Sequence, residues 1–169
     1  KTINAYKYRH KINNQIGIVI QAYLKRSEND IENLSEGANI RLCKGIYNES
    51  ENIAIKKPNE INNNYIHLFN TAIKKKIFIG IATHDIELIK SIVKIIENKN
   101  INKKQFEFQF LYGVPIGNTI KKLRSKKFNI RIYAPFGKEW YEYSIRRLKE
   151  NPNITGYIIK NIFKKNFYK

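Results

Sequence analysis

The chain has 169 residues, and its 32 Lys+Arg against 14 Asp+Glu give a net charge of +18; by length it is roughly one domain. With 42% hydrophobic and 12% aromatic residues it can bury a core, which excludes a disordered polyelectrolyte. The single cysteine, Cys43, excludes an internal disulfide framework and a cysteine-built zinc site, no apolar run approaches the ~20 residues that span a bilayer, and the polar N-terminus is not a signal peptide.

A +18 balance points first to nucleic acid or an anionic membrane surface. The lysines, however, are spread through every segment. The chain holds 31 Ile, 25 Lys and 22 Asn but only three Val and seven Arg, a pattern that looks like drift toward A/T-rich codons. Solvated lysine faces are therefore expected, and nucleic acid is not expected as a partner. The sequence has no Met and begins with Lys1, so a chain processed or cut from something longer is expected.

Taken in order, residues 2–13 are expected to close a preceding helix. Ile18–Ala22 is a short apolar strand. A helical stretch carrying Ile31 and Leu34 follows, with Ser27 or Asp30 as caps and Gly37 as its end. Ile40–Cys43 is the next strand. Ile61–Lys74 is an amphipathic helix whose stripe is Ile61, Tyr65, Leu68, Phe69, Ala72 and Ile73. Ile77–Ala82 reads as a buried strand. Asp85 caps a helix with the stripe Leu88, Ile89, Ile92, Val93 and Ile96. Phe106–Leu111 is a strand, Thr119–Leu123 lies in a short helix, Ile130–Tyr133 is a strand and Glu139–Glu150 a helix. Thr155–Phe163 is a last helix.

Strands that alternate with helices and are nearly continuously apolar form a parallel sheet covered by helices. An open doubly wound sheet and a (β/α)8 barrel both fit. The open sheet often carries a glycine-rich phosphate loop after its first strand, whereas here that strand runs into Gln21-Ala22-Tyr23. A whole barrel needs ~250 residues, so five units would be its C-terminal portion.

In either architecture chemistry sits at the C-terminal ends of the strands. The polar residues there are Gln21 and Tyr23; Arg41, Lys44 and Tyr47; Thr83, His84 and Asp85; Glu107, Gln109 and Tyr112; and Arg131 and Tyr133. Arg41 lies within a strand, where a charge must be paired or bind an anion. Lys44-Gly45 follows at once: glycine admits a close backbone approach, and lysine is a phosphate-type partner. An internal ion pair is the alternative for Arg41, and a structural role is the alternative for His84. His10 and His67 are expected at the surface.

On the helix before the tail, Tyr143, Arg146, Arg147 and Glu150 are spaced i, i+3, i+4 and i+7 and share one face. Adjacent arginines in a lysine-rich chain suggest forked donors that hold a carboxylate or phosphate. A solvated basic face with a local salt bridge is the alternative.

The strings GIVIQAYLKR, RLCKGIYNE, IATHD, FEFQFLYGV and RIYAPFGKEWYEYSIRRLKENPN, in this order and spacing, resemble the C-terminal part of proline dehydrogenase, of the single-function bacterial type. The resemblance runs from about Gly17 to the chain's end. It implies a (β/α)8 TIM-type barrel in the α/β class, of which residues 1–169, as a single domain, supply about the last five strand–helix units. It implies FAD as cofactor, no metal, and oxidation of L-proline to Δ1-pyrroline-5-carboxylate, with electrons passing to a quinone. A cytoplasmic protein with a peripheral contact to the inner face of the membrane is implied as well.

By the same resemblance Gln21, Arg41, Lys44, Gly45, Ile46, Thr83, His84 and Glu150 would line the FAD, with Arg41 near its reactive edge and catalytic. Arg146 and Arg147 would clamp the proline carboxylate, Tyr133 and Tyr143 would shape the pocket around the ring, and Tyr47 would lie near the flavin. Two departures stand out. The family's lysine and aspartate from earlier barrel strands have no matching segment here, so missing N-terminal strands are an implied partner. The family's usual alanine after Lys-Gly is Ile46. The competing readings are an inactive or incomplete remnant of that enzyme and, more distantly, a basic nucleic-acid-binding module.

Overall fold

The computed structural model describes residues 2–13, 15–45, 47–112, 114, 116–134 and 136–138. The elements in chain order are α1 (Thr2–Ile12), β1 (Ile18–Gln21), α2 (Ser27–Glu32), β2 (Asn39–Cys43), α3 (Pro58–Lys74), β3 (Phe78–Ala82), α4 (Ile86–Asn98), a 3₁₀ turn (Lys103–Gln105), β4 (Phe106–Leu111), α5 (Gly117–Ser125) and β5 (Ile130–Tyr133). The five strands lie in one sheet in sequential order, β1-β2-β3-β4-β5. This is the expected α/β arrangement of parallel strands. The chain forms two compact units, one ending at Phe108 and the next beginning at Gln109.

In the first unit, β1, β2 and β3 pair in parallel, and their register sorts the side chains. Ile18, Ile40 and Ile79 form one row across the three strands, and Ile20, Leu42 and Ile81 form another. All six are buried, each contributing roughly 1.5–3 kcal/mol. Helix α3 covers β2 and β3, and α2 packs on β1 and on α3. The buried face of α3 is Tyr65, Leu68, Phe69 and Ala72, and that of α4 is Leu88, Ile89, Ile92 and Ile96. The strand's two-residue period sends alternate side chains to the other face. There Val19, Arg41 and Gly80 form one row, and Gln21, Cys43 and Ala82 form the next. This second face is less covered: Val19 is 54% exposed.

Several boundaries and caps differ from the sequence expectations. Helix α3 begins at Pro58 rather than Ile61, because proline at the first helical position already has the required φ and has no N–H to leave unpaired. Ser27 does not cap α2. It is the first helical residue, and its hydroxyl donates to the Gln21 carbonyl at 2.6 Å, tying α2 to the end of β1. Asp30 accepts from the Arg26 guanidinium at 2.7 and 2.9 Å instead of capping. Asp85 does cap α4, accepting from the Glu87 and Leu88 amides, both at 3.1 Å. Gly37 ends the turn after α2 with φ +76°. His67 is exposed beside Glu28. His10, expected at the surface, is half-buried; it stacks on Tyr6 and bonds to the Ile16 carbonyl at 3.1 Å. The Tyr6 hydroxyl accepts from the Asn39 amide at 3.1 Å, joining α1 to the start of β2.

In the second unit, α5 buries Ile120 and Leu123. It contains the expected helical stretch Thr119–Leu123. The Tyr112 amide donates to the Tyr133 carbonyl at 2.8 Å. The expected helix Glu139–Glu150 and the tail lie outside the described residues.

Many lysines face solvent, and exposed pairs such as Lys76–Glu36 at 2.9 Å and Lys90–Glu87 at 2.7 Å are each worth under about 1 kcal/mol. No helix among the described residues is long and apolar enough to cross a membrane.

Candidate functional site

Strand β2 carries the center of the site because its parity separates Ile40 and Leu42, which are buried beneath the helices, from Arg41 and Cys43, which are half-buried on the opposite face. The Arg41 side chain is flanked in register by Val19 on β1 and Gly80 on β3. Gly80 has no side chain, and Ala82, two residues on, has only a methyl group. The wall around the guanidinium on the β3 side is therefore flat.

Beyond this row the ends of the three parallel strands lie side by side. Gln21 ends β1 half-buried. Thr83 follows β3 and is buried, with its hydroxyl oxygen accepting from the Asp85 amide at 3.2 Å. His84 is half-buried, and burial together with the nearby Arg41 charge pushes its pKa down to about 4. At neutral pH it is an uncharged imidazole beside a permanent cation. Burial raises the Cys43 thiol, with the Arg41 charge opposing it, so Cys43 is a packed thiol rather than a nucleophile.

Lys44 and Gly45 leave β2 in a turn that the structure holds tightly. Gly45 has φ +103°, and a Cβ there would overlap the ring of Tyr23. The close approach that glycine permits is thus first of all to Tyr23. The Tyr23 amide donates to the Lys44 carbonyl at 2.8 Å, and its own carbonyl accepts from Ile55 at 2.7 Å. The Lys44 ammonium meets Asp85 Oδ2 at 2.6 Å. Burial raises the Asp85 carboxyl, but hydrogen bonds from Lys44 and the Leu88 amide outweigh it and hold the group below its ordinary range.

Sequence reasoning missed the supports from α3. The Tyr65 hydroxyl donates to the Leu42 carbonyl at 2.7 Å, Asn64 donates to the Ala22 carbonyl at 2.6 Å, and Asn62 donates to Asp85 Oδ2 at 3.3 Å. The signal was the polar run Asn62-Asn63-Asn64 in the first turns of an amphipathic helix, of which Asn62 and Asn64 make these bonds.

Tyr47 is exposed beyond the turn, and Glu107 is buried in β4. In the second unit Tyr133 and Gln109 are half-buried, Arg131 is exposed on the same side of β5 as Tyr133, and Tyr112 is exposed. Ile46, Tyr143, Arg146, Arg147 and Glu150 lie outside the described residues. Among the described residues no three metal-ligating side chains gather.

Residues 2–158 match the family model described as proline dehydrogenase. The chain is 35% identical over 166 residues to proline dehydrogenase 2 of Bacillus subtilis (strain 168), covering 98% of this chain and 54% of that protein. It is 33% identical over 150 residues to proline dehydrogenase of Deinococcus radiodurans, covering 88% and 48%. It therefore spans about half the length of the curated relatives it matches. Among solved structures, proline utilization A from Bdellovibrio bacteriovorus, inactivated by N-propargylglycine, superposes with a TM-score of 0.69 at 27% identity, over 89% of this chain and 18% of that one. Proline utilization A from Corynebacterium freiburgense gives 0.72 at 18% identity over 95% and 20%, a likeness of fold.

Proposed function

The chain belongs to the proline dehydrogenase family, and from that premise we propose that it forms the C-terminal portion of a (β/α)8 catalytic barrel oxidising L-proline to Δ1-pyrroline-5-carboxylate with FAD. The observation that carries this reading is the placement of Arg41 in mid-strand, between Val19 and Gly80 and beside neutral His84.

The residues present fit FAD. Gly80 and Ala82 leave a flat wall beside Arg41, as a planar ring system requires. The strand-end groups Gln21, Thr83 and His84 supply hydrogen bonds without adding charge. Bound FAD would accept the hydride that leaves the ring carbon next to the proline nitrogen.

The chain's own residues then have separate tasks. The Arg41 guanidinium opposes negative charge that develops at the acceptor. Gln21, Gly45, Ile46, Thr83, His84 and Glu150 would line the cofactor, with Lys44 contributing at the same turn and Tyr47 near it. Arg146 and Arg147 fork the proline carboxylate and hold its ring in a fixed orientation, while Tyr133 and Tyr143 shape the space around that ring. With FAD bound, its electrons would pass to a quinone, which would bring the protein to a membrane surface as a peripheral visitor.

The test is spectroscopic. Protein purified with FAD should be yellow, and anaerobic proline should bleach its visible band. A protein that takes up no FAD overturns the reading. The half-length coverage of the relatives favours one second reading, an incomplete or inactive remnant; it predicts bound FAD that proline does not bleach.

A further inference from the structure

The same turn that carries Gly45 raises a question about Lys44, whose type and position suit a phosphate ligand. Its ammonium is engaged elsewhere, with Asp85 Oδ2 at 2.6 Å as its acceptor. That carboxylate gathers three elements. Oδ1 accepts the two amides that open α4, and Oδ2 accepts both Lys44 from the end of β2 and Asn62 from α3. Each partner donates to a carboxylate acceptor, so the cluster is consistent in charge and in hydrogen bonding. The Asp85 carboxylate only accepts, so it is the Asn62 NH₂ group that faces it, and the Asn62 side-chain oxygen is left buried without a partner among the described residues.

We propose that Asp85 is a positioning residue that anchors Lys44, so that the Lys44-Gly45 turn serves the cofactor through its main chain and not through the lysine's charge. This rests on the FAD reading above. The physical reason is geometric. Gly45 is confined between a left-handed φ and the Tyr23 ring, and its neighbour's side chain is pinned to the first turn of α4, next to Thr83 and His84. The ends of β2 and β3 are thereby cross-linked at the rim of the candidate site. An ammonium drawn toward a phosphate would leave Asp85 without its counter-ion and release that cross-link.

The two roles predict opposite signs for one substitution. Asp85→Asn keeps an equally good helix cap but frees the Lys44 charge. A phosphate-binding lysine, once freed, would tighten FAD. An anchored lysine, once released, loosens the turn. We expect Asp85→Asn and Lys44→Met each to weaken FAD by about tenfold. The double variant should match either single one rather than show their product, because the pair acts as a unit. Lys44→Arg, which still supplies a cation to the carboxylate, should recover most of the loss.

Amide hydrogen exchange on the cofactor-free protein gives a second readout. Exchange over residues 44–57 should quicken in Asp85→Asn, while the first turn of α4 keeps its protection. Tighter FAD in Asp85→Asn, a multiplicative double variant, or unchanged exchange over 44–57 overturns the proposal. If the parent protein takes up no FAD, the functional reading falls, and the exchange comparison still decides the anchor.

Discussion

Gly45 and Tyr23 lie so close that neither tolerates growth in the other: the turn's φ of +103° turns the absent Cβ directly into the tyrosine ring. The glycine is thus demanded twice, once by backbone conformation and once by contact. A left-handed non-glycine residue costs about 1–2 kcal/mol, and the overlap adds to it. Gly45→Ala should therefore destabilise the protein by at least about 2 kcal/mol in urea unfolding. Adding Tyr23→Ala removes the overlap but not the strain, so the double variant should lose less than the sum of the two single changes. Additive losses would show that the ring contact is unimportant.

His84 makes stability depend on pH with a definite sign. Its folded pKa of about 4 lies below the ordinary 6.5, so the unfolded chain binds the extra proton first as pH falls. The His84 contribution is complete above pH 6.5 and is lost as pH drops from there toward 4, by up to about 3 kcal/mol. Comparing unfolding free energies of the parent and His84→Gln across this window isolates the effect. Parallel curves would contradict it.

The two causes of that shift can be separated. Burial comes first and the Arg41 charge second. Arg41→Met should therefore raise the His84 pKa while leaving it below 6.5. The chain has three histidines, so imidazole titration by NMR can follow each one. An unchanged His84 would mean that the guanidinium charge is not felt there.

Much of this unit was legible because its strands are short apolar runs bounded by polar residues. Ile77–Ala82 could hardly be anything else, and Asp85 before an amphipathic stripe announced the start of α4. Arg41 was legible as a candidate site residue because a charge within an apolar strand needs a reason. The connections were harder. Lys44 meets Asp85 across 41 positions of sequence, and Tyr65 meets the Leu42 carbonyl across 23. No local pattern encodes such pairs; they exist only once α3 and α4 have packed on the sheet. Ser27 illustrates the limit from the other side. Its type suits a cap, yet the Gln21 carbonyl, brought near by β1, takes its hydroxyl.

Tyr65 offers a direct measure of one such connection. Its ring is fully buried on α3, and burial pushes its hydroxyl well above the ordinary pKa, so it stays a neutral donor to the Leu42 carbonyl at 2.7 Å. Tyr65→Phe keeps the ring and removes the donor, which should cost about 1–2 kcal/mol. The loss should come with faster amide exchange at the end of β2, beside Arg41. A loss of stability spread evenly through the unit, with β2 no more affected than β1, would argue that the bond does not hold the strand end.

The proposed substrate clamp can be tested apart from the proposed cofactor wall. Arg147→Lys keeps the positive charge but replaces a planar fork with a point charge, and a carboxylate held in bidentate fashion loses one of its two parallel hydrogen bonds. If Arg147 clamps proline, its lysine variant should bind FAD as the parent does and need at least about tenfold more proline for half-maximal bleaching, since a lost charge-assisted bond is worth roughly 1.5–3 kcal/mol. On this proposal the cofactor should be unaffected, because the arginine acts on the carboxylate alone. Loss of FAD at unchanged proline requirement would instead place Arg147 on the cofactor and leave the carboxylate to other residues.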